Sequence, residues 1–149
     1  MFFPQLIVGS FLIILTVIIH AVVLDRLIKR ITILAPIMFD KTPRLWKVHI
    51  LSMTVLCVFL AHVIQVIIWA VFYVAVNALP DFEEALYFST STFTTVGYGD
   101  VVLDKSWRLT SAFQSANGFI MFGWSTAFIF EVMSKLYKEE TINKKSGRL

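Results

Sequence analysis

Thirty-two consecutive residues, Val48 to Leu79, contain no aspartate, glutamate, lysine or arginine. As a helix rising about 1.5 Å per residue, the run would reach about 48 Å, more than the ~30 Å hydrocarbon core of a bilayer. It is expected to cross a membrane with a tilt, to project beyond it, or to end early. Trp46 near its start, and Trp69 and Tyr73 near its end, suit the two membrane interfaces. Two more runs of this kind flank it. Gln5 to Leu24 has no charge in 20 residues, and Leu109 to Met133 is broken by charge only at Glu131. Only 15% of the chain is charged, where a soluble domain carries about 25%, and mean hydropathy is +0.78. These features argue for an all-α integral membrane protein with three transmembrane helices and against a soluble enzyme. Cys57 is the single cysteine, so no internal disulfide is possible.

Basic residues set the expected orientation. Arg26, Lys29, Arg30, Lys41, Arg44 and Lys47 lie between the first two spans, and Lys135, Lys138, Lys144, Lys145 and Arg148 follow the third. Only Lys105 and Arg108 lie between spans two and three, in a segment that also holds Asp81, Glu83, Glu84, Asp100 and Asp104. The first loop and the C-terminus are therefore expected in the cytoplasm, and the N-terminus outside, in a multi-pass plasma-membrane protein. With a net charge of only +3, and its basic residues beside the spans, the chain is not expected to bind nucleic acid. Its partner is a lipid bilayer. Residues 1–24 read as a retained helix rather than a signal peptide, because Met1-Phe2-Phe3-Pro4 has no basic residue and no good cleavage site follows. Residues 25–47 read as a basic cytoplasmic loop. Within it, Leu27 to Met38 either continues the first helix until Pro36 stops it or lies in the interface as an amphipathic segment. Thr42-Pro43 is the expected start signal of the second helix, with Thr as N-cap and Pro at the first helical position.

The segment between spans two and three is the most specific. Pro80 ends the second helix or opens the next element, and Asp81 with Glu84 has the spacing of a helix cap. Phe82 to Phe93 is apolar enough to be buried but too short to span, so it is expected as a re-entrant half-helix. Thr94-Thr95-Val96-Gly97-Tyr98-Gly99-Asp100 follows. Non-helical backbone at membrane depth is tolerated only where protein buries it or it lines a watery cavity. Letting its carbonyls coordinate a cation is one way to satisfy them. A tight external turn is the alternative, since glycine pairs also favour turns.

Thr95-Val96-Gly97-Tyr98-Gly99 is identical to the potassium-channel signature. On these residues the chain resembles prokaryotic pore-only potassium channels over residues 48–138: an outer helix 48–79, a pore helix 82–93, a filter 94–100 and an inner helix 108–137. The first helix is additional to that two-helix form, and residues 139–149 would be a cytoplasmic tail expected to fray. The resemblance implies a homotetramer that conducts potassium passively, with the carbonyls of Thr95, Val96, Gly97 and Tyr98 replacing the ion's water shell. No enzyme activity and no cofactor is implied beyond the permeant ion. The alternatives are a less selective cation channel and a nonconducting membrane subunit of another transport complex.

Departures from the family pattern mark the filter's support. Ser91 stands where some members have a glutamate that pairs with the aspartate after the filter, here Asp100. Tyr87-Phe88 replaces a pair of tryptophans, and Phe88 cannot donate a hydrogen bond to Tyr98. Thr92 and the Tyr87 hydroxyl are the candidate substitutes, and Gly99 completes the filter motif. In the inner helix, Gly118 and Gly123 fall at common glycine positions: Gly118 is read as a hinge and Gly123 as a packing contact. Phe119, Phe122, Thr126 and Phe130 tend inward, with Phe130 a candidate constriction. His49 is a candidate pH sensor if it approaches Glu131. Gln65, Gln114 and Asn117 are expected to hydrogen-bond between helices. No span carries an arginine ladder, so steep voltage sensing is not expected.

Overall fold

A computed structural model describes residues 2–145, with side chains through residue 142. Four helices follow in order: α1 Phe2–Lys41, α2 Trp46–Ala75, α3 Phe82–Phe93 and α4 Arg108–Lys145. Three of them, α1, α2 and the Arg108–Ile142 stretch of α4, are long and apolar enough to cross a membrane. α3 is the short fourth element, and the chain has the all-α membrane architecture expected from its hydropathy.

The basic segment after the first span is largely not a loop. α1 continues through Pro36 to Lys41. Proline forfeits one backbone hydrogen bond and strains the preceding turn, at about 3 kcal/mol in a helix interior. Burial offsets that cost: Ile31, Ala35 and Phe39 are all less than 9% exposed and lie on one stripe of α1. The turn into α2 is short. The Thr42 hydroxyl donates back to the Met38 carbonyl at 3.1 Å, closing α1, while the Thr42 carbonyl accepts from Trp46 N at 2.9 Å, opening α2. Thr42 thus caps α2 with its backbone, not with its side chain.

α2 stops at Ala75, short of the expected Leu79. Asn77 takes the left-handed conformation at φ 53°, Ala78 N donates to Tyr73 O at 2.9 Å, and Asn77 N donates to Val74 O at 3.0 Å. This pair of bonds is the Schellman closure, for which asparagine is the usual stand-in for glycine. The stop signal is therefore Asn77, and Pro80 only follows it. α4 in turn runs on to Lys145, beyond the expected residue 137, so the segment from Glu139 to Lys145 is helical. Gly147 and Arg148 of the expected tail lie outside the described residues, as do the side chains of Lys144 and Lys145.

The described residues divide into two compact units, 2–20 with 60–123 and 21–59 with 124–145. The first holds α3 and the loop after it. Its core gathers Trp69, Ala70 and Tyr73 of α2, Ala85, Phe88 and Phe93 of α3, Leu12 of α1 and Met121 of α4. The second unit has a core of Leu24, Leu27, Ile31 and Phe39 of α1, Trp46 and Ile50 of α2, and Val132 and Leu136 of α4.

Candidate functional site

α3 begins at a built cap. Asp81 is extended, at φ −142° and ψ 170°, and its carboxylate accepts from Glu84 N at 2.9 Å. Glu83 and Glu84 in the first turn lie at the positive end of the helix dipole. Ser89 sits at the centre of a buried network that fixes the half-helix. Its hydroxyl donates to Val66 O at 2.7 Å and accepts from Gln114 Nε2 at 2.6 Å, while Tyr73 donates its hydroxyl to Gln114 Oε1 at 2.8 Å. α2, α3 and α4 are joined in one set of bonds. In lipid such bonds supply the specificity that apolar contacts lack.

The loop after α3 shows a one-sided pattern of hydrogen bonds. Thr95 N donates to Thr92 O at 3.0 Å, and Val96 N and Gly97 N donate to Ser91 O at 3.0 and 3.1 Å. These amides are tied back to the end of α3. Among the described residues, nothing donates to the carbonyls of Thr95, Val96, Gly97 or Tyr98. The backbone also departs from a β-strand: φ is positive at Thr95 (62°), Gly97 (53°) and Gly99 (80°). Every second residue is left-handed, which undoes the alternation that points strand carbonyls to opposite sides. Glycine accepts this geometry freely, whereas a β-branched threonine at positive φ is strained by about 1–3 kcal/mol. Backbone strain of this order persists only where surrounding bonds enforce it, and it gathers at functional sites.

Asp100 finds its partner in Tyr87, whose hydroxyl donates to Asp100 Oδ2 at 2.6 Å. The Tyr87 ring stacks on Tyr98 with centroids 6.5 Å apart and planes 10° apart. One side chain from α3 therefore holds both the aspartate and the tyrosine of the loop. Its hydrogen bond holds the Asp100 carboxyl below the usual carboxylate range and raises the Tyr87 phenol. Ser91 acts through its carbonyl, which takes two loop amides, and not as a side-chain partner of Asp100. Phe88 points away into the core, edge-on to Tyr73 at 5.2 Å.

Gly118 is buried, and a Cβ added there would overlap the Phe93 carbonyl. The glycine lets α4 pass directly under the end of α3, so its place is explained by close approach. At Gly123 an added Cβ would meet nothing within 4 Å. Within one chain the close contact thus falls at Gly118 and not at Gly123. Phe119 and Phe130 are exposed, at 73% and 65%. His49 is exposed, and Glu131 pairs with Lys135 at 3.8 Å. The structure does not bring His49 and Glu131 together among the described residues.

The first helix is joined to this unit by polar residues that the sequence did not single out. Gln5 accepts from Leu109 N at 2.9 Å, occupying one of the open amides at the start of α4. Thr16 accepts from Asn117 Nδ2 at 2.8 Å, one residue before Gly118. His20 Nδ1 lies 3.0 Å from Gln65 Nε2, and its ring stacks on His62 at 5.2 Å. His62 in turn packs on Phe93 and Phe122. Gln5, Thr16 and His20 recur with Gly9 and Leu12 at intervals of three and four residues along one buried stripe. That spacing was legible in the sequence, although a stripe containing three polar residues does not stand out by hydropathy.

The family described as "Ion channel" matches residues 50–135, more than half of the chain, and the protein belongs to that family. No curated protein and no solved structure matches the chain. The matched stretch contains the half-helix, the strained loop and most of the two helices that flank them. The protein is a multi-pass membrane ion channel.

Proposed function

We propose that this channel is selective for potassium and that four copies of the chain build its filter. Each copy would contribute the carbonyls of Thr95, Val96, Gly97 and Tyr98 and the hydroxyl of Thr95. The observation that carries this reading is the polarity of the loop's hydrogen bonds. The amides of Thr95, Val96 and Gly97 are bound to Ser91 and Thr92, while the carbonyls of Thr95 to Tyr98 are left for a ligand that accepts lone pairs from several oxygens. A desolvating cation is such a ligand. The alternating sign of φ supports the same conclusion, because it lets consecutive carbonyls share one side.

Exposure supports the oligomer. Residues 94–100 are all exposed in a single chain, including Tyr98 at 72%. Bare backbone of this kind is not stable against lipid, and a ring of copies would enclose it around an aqueous axis. The C-terminal end of α3, at Phe93 and Thr94, would turn its negative dipole toward the ion path. The charge distribution supports an N-terminus outside and a C-terminus in the cytoplasm of the plasma membrane. With Gly118 committed to contact with Phe93, bending of the inner helix falls to Gly123.

Flux through purified protein in liposomes tests the reading, with potassium compared against sodium and barium added as a blocker. Barium-sensitive flux with strong preference for potassium is expected. Comparable sodium flux would replace potassium selectivity with a less selective cation pathway. A folded tetramer that passes neither ion, even with Phe130→Ala, would favour a nonconducting subunit.

A further inference from the structure

A second site lies in the other unit. Between α1 and α2 runs a groove of about 380 Å³, within the size range of small-ligand sites. Val23, Leu27 and Leu34 of α1 and Met53 and Cys57 of α2 line it, and Arg26 and Arg30 flank it. The two arginines are four residues apart and so share a helix face. Neither has an ion-pair partner among the described residues, and the nearby Asp25 is engaged by Lys29 at 2.7 Å.

The position of these groups along the helices matters. Arg26 comes two residues after the uncharged run that ends at Leu24, so it stands where hydrocarbon gives way to headgroups. Val22 and Val23, which line its other end, lie inside that uncharged run, about one helical turn from Arg26. The groove therefore runs from headgroup level, where it is cationic, into the hydrocarbon layer, where it is apolar. That is the profile of a phospholipid with a negative headgroup. Guanidinium forks match phosphate oxygens in pairs and are more weakly hydrated than ammonium groups. An apolar ligand alone would leave two charges uncompensated, and a soluble anion would leave the apolar wall bare.

We infer that the α1–α2 groove binds an anionic phospholipid, its phosphate held by Arg26 and Arg30 and an acyl chain running past Cys57 against Val22 and Val23. On the orientation proposed above, this lipid comes from the cytoplasmic leaflet. The inference does not depend on which ion the filter passes.

The test uses full-length protein in vesicles of phosphatidylcholine with and without phosphatidylglycerol, and two readouts. Native mass spectrometry counts the phosphatidylglycerol retained by wild type, by Arg26→Gln with Arg30→Gln, and by a control with Lys29→Gln and Lys138→Gln. Each surface arginine near anionic lipid contributes about 1 kcal/mol, so removing both is expected to weaken retention roughly 30-fold. The control loses the same charge and is expected to retain the lipid. The second readout is maleimide labelling of Cys57, the only cysteine. Phosphatidylglycerol is expected to slow it in wild type and in the control, but not in the double arginine variant. Equal losses in both variants would reduce the effect to general surface charge and overturn the site. Cys57 shielded equally in pure phosphatidylcholine would also overturn it, assigning the groove to neutral lipid or to a second copy of the chain.

Discussion

The two compact units draw on the same three long helices yet are held by different chemistry. Among the described residues, ten of the buried polar side chains belong to the unit with the half-helix, namely Gln5, Thr16, His20, His62, Gln65, Ser89, Thr92, Thr110, Gln114 and Asn117, and two, Thr54 and Ser125, to the second. Thr54 merely donates back to Ile50 O within its own helix. In the second unit the described helices meet through apolar side chains, with Lys47 and Glu140 forming a half-buried ion pair at 2.7 Å. The difference follows from what each unit must hold. The first unit contains non-helical backbone and a half-helix whose end lies against Gly118 too closely for a Cβ. Apolar contacts between membrane helices discriminate poorly among alternative packings, because lipid tails are equally apolar, whereas hydrogen bonds have direction. The described residues of the second unit are helical apart from the short turn 42–45.

The sharpest way to break this comparison is Gly118→Val. The added side chain collides with backbone at Phe93, which cannot swing away, so α4 or α3 must shift and at least tenfold loss of potassium flux is expected. Gly123→Val is expected to preserve the filter, with ion selectivity unchanged, while altering how often the pore opens. Equal damage from both would remove the distinction between a packing glycine and a bending one.

The buried network comes next. Gln114→Leu strips partners from both Ser89 and Tyr73 and is expected to destabilise the protein by about 1–2 kcal/mol, read as a shifted midpoint in detergent unfolding. Thr54→Val, in the second unit, is expected to change the midpoint by less than about 0.5 kcal/mol. A larger effect at Thr54 would mean that the second unit is as specifically held as the first.

External pH addresses the filter's support. Asp100 is held below the ordinary carboxylate range by the Tyr87 hydroxyl. Because the folded state favours the ionised form, this bond contributes fully above the ordinary value of about 3.9 and is lost as pH falls through the lower folded value. Wild-type flux is expected to fall only in that acid range. Tyr87→Phe should move the fall to higher pH, and a curve that does not move would show that Asp100 is not the titrating group. The smallest effect is expected at the ion pair of the second unit. Lys47 lies 2.7 Å from Glu140 and 4.2 Å from the centre of the Tyr137 ring, and Lys47→Ala should cost roughly 0.5–1 kcal/mol, diminished by salt.

Much of this was legible from local pattern. Uncharged run length marks the three spans, because lipid penalises charge regardless of what else the chain does. The half-helix was equally legible, since Asp81 and Glu84 make a cap within four residues of sequence. Less legible were features that depend on a partner distant in sequence. Pro36 reads as a stop because its local cost is definite, but the burial of Ala35 and Phe39 that outweighs it comes from other helices. Asn77 was overlooked in favour of Pro80, although an asparagine shortly before a proline is itself a closing signal.

By itself, the sequence determined what the chain is made for: an all-helical membrane protein with one short helix and a loop whose glycines permit a left-handed backbone. These follow from hydropathy, cap spacing and steric freedom, which act within a few residues. The tertiary structure decided which side chain serves which neighbour. It gave Asp100 to Tyr87 and not to Thr92, made Gly118 a point of contact and left Gly123 open. It also joined the first helix to the channel unit through Gln5, Thr16 and His20. Those choices depend on distances between helices far apart in the chain, and packing and directional hydrogen bonds fix such distances only once all the helices are in place.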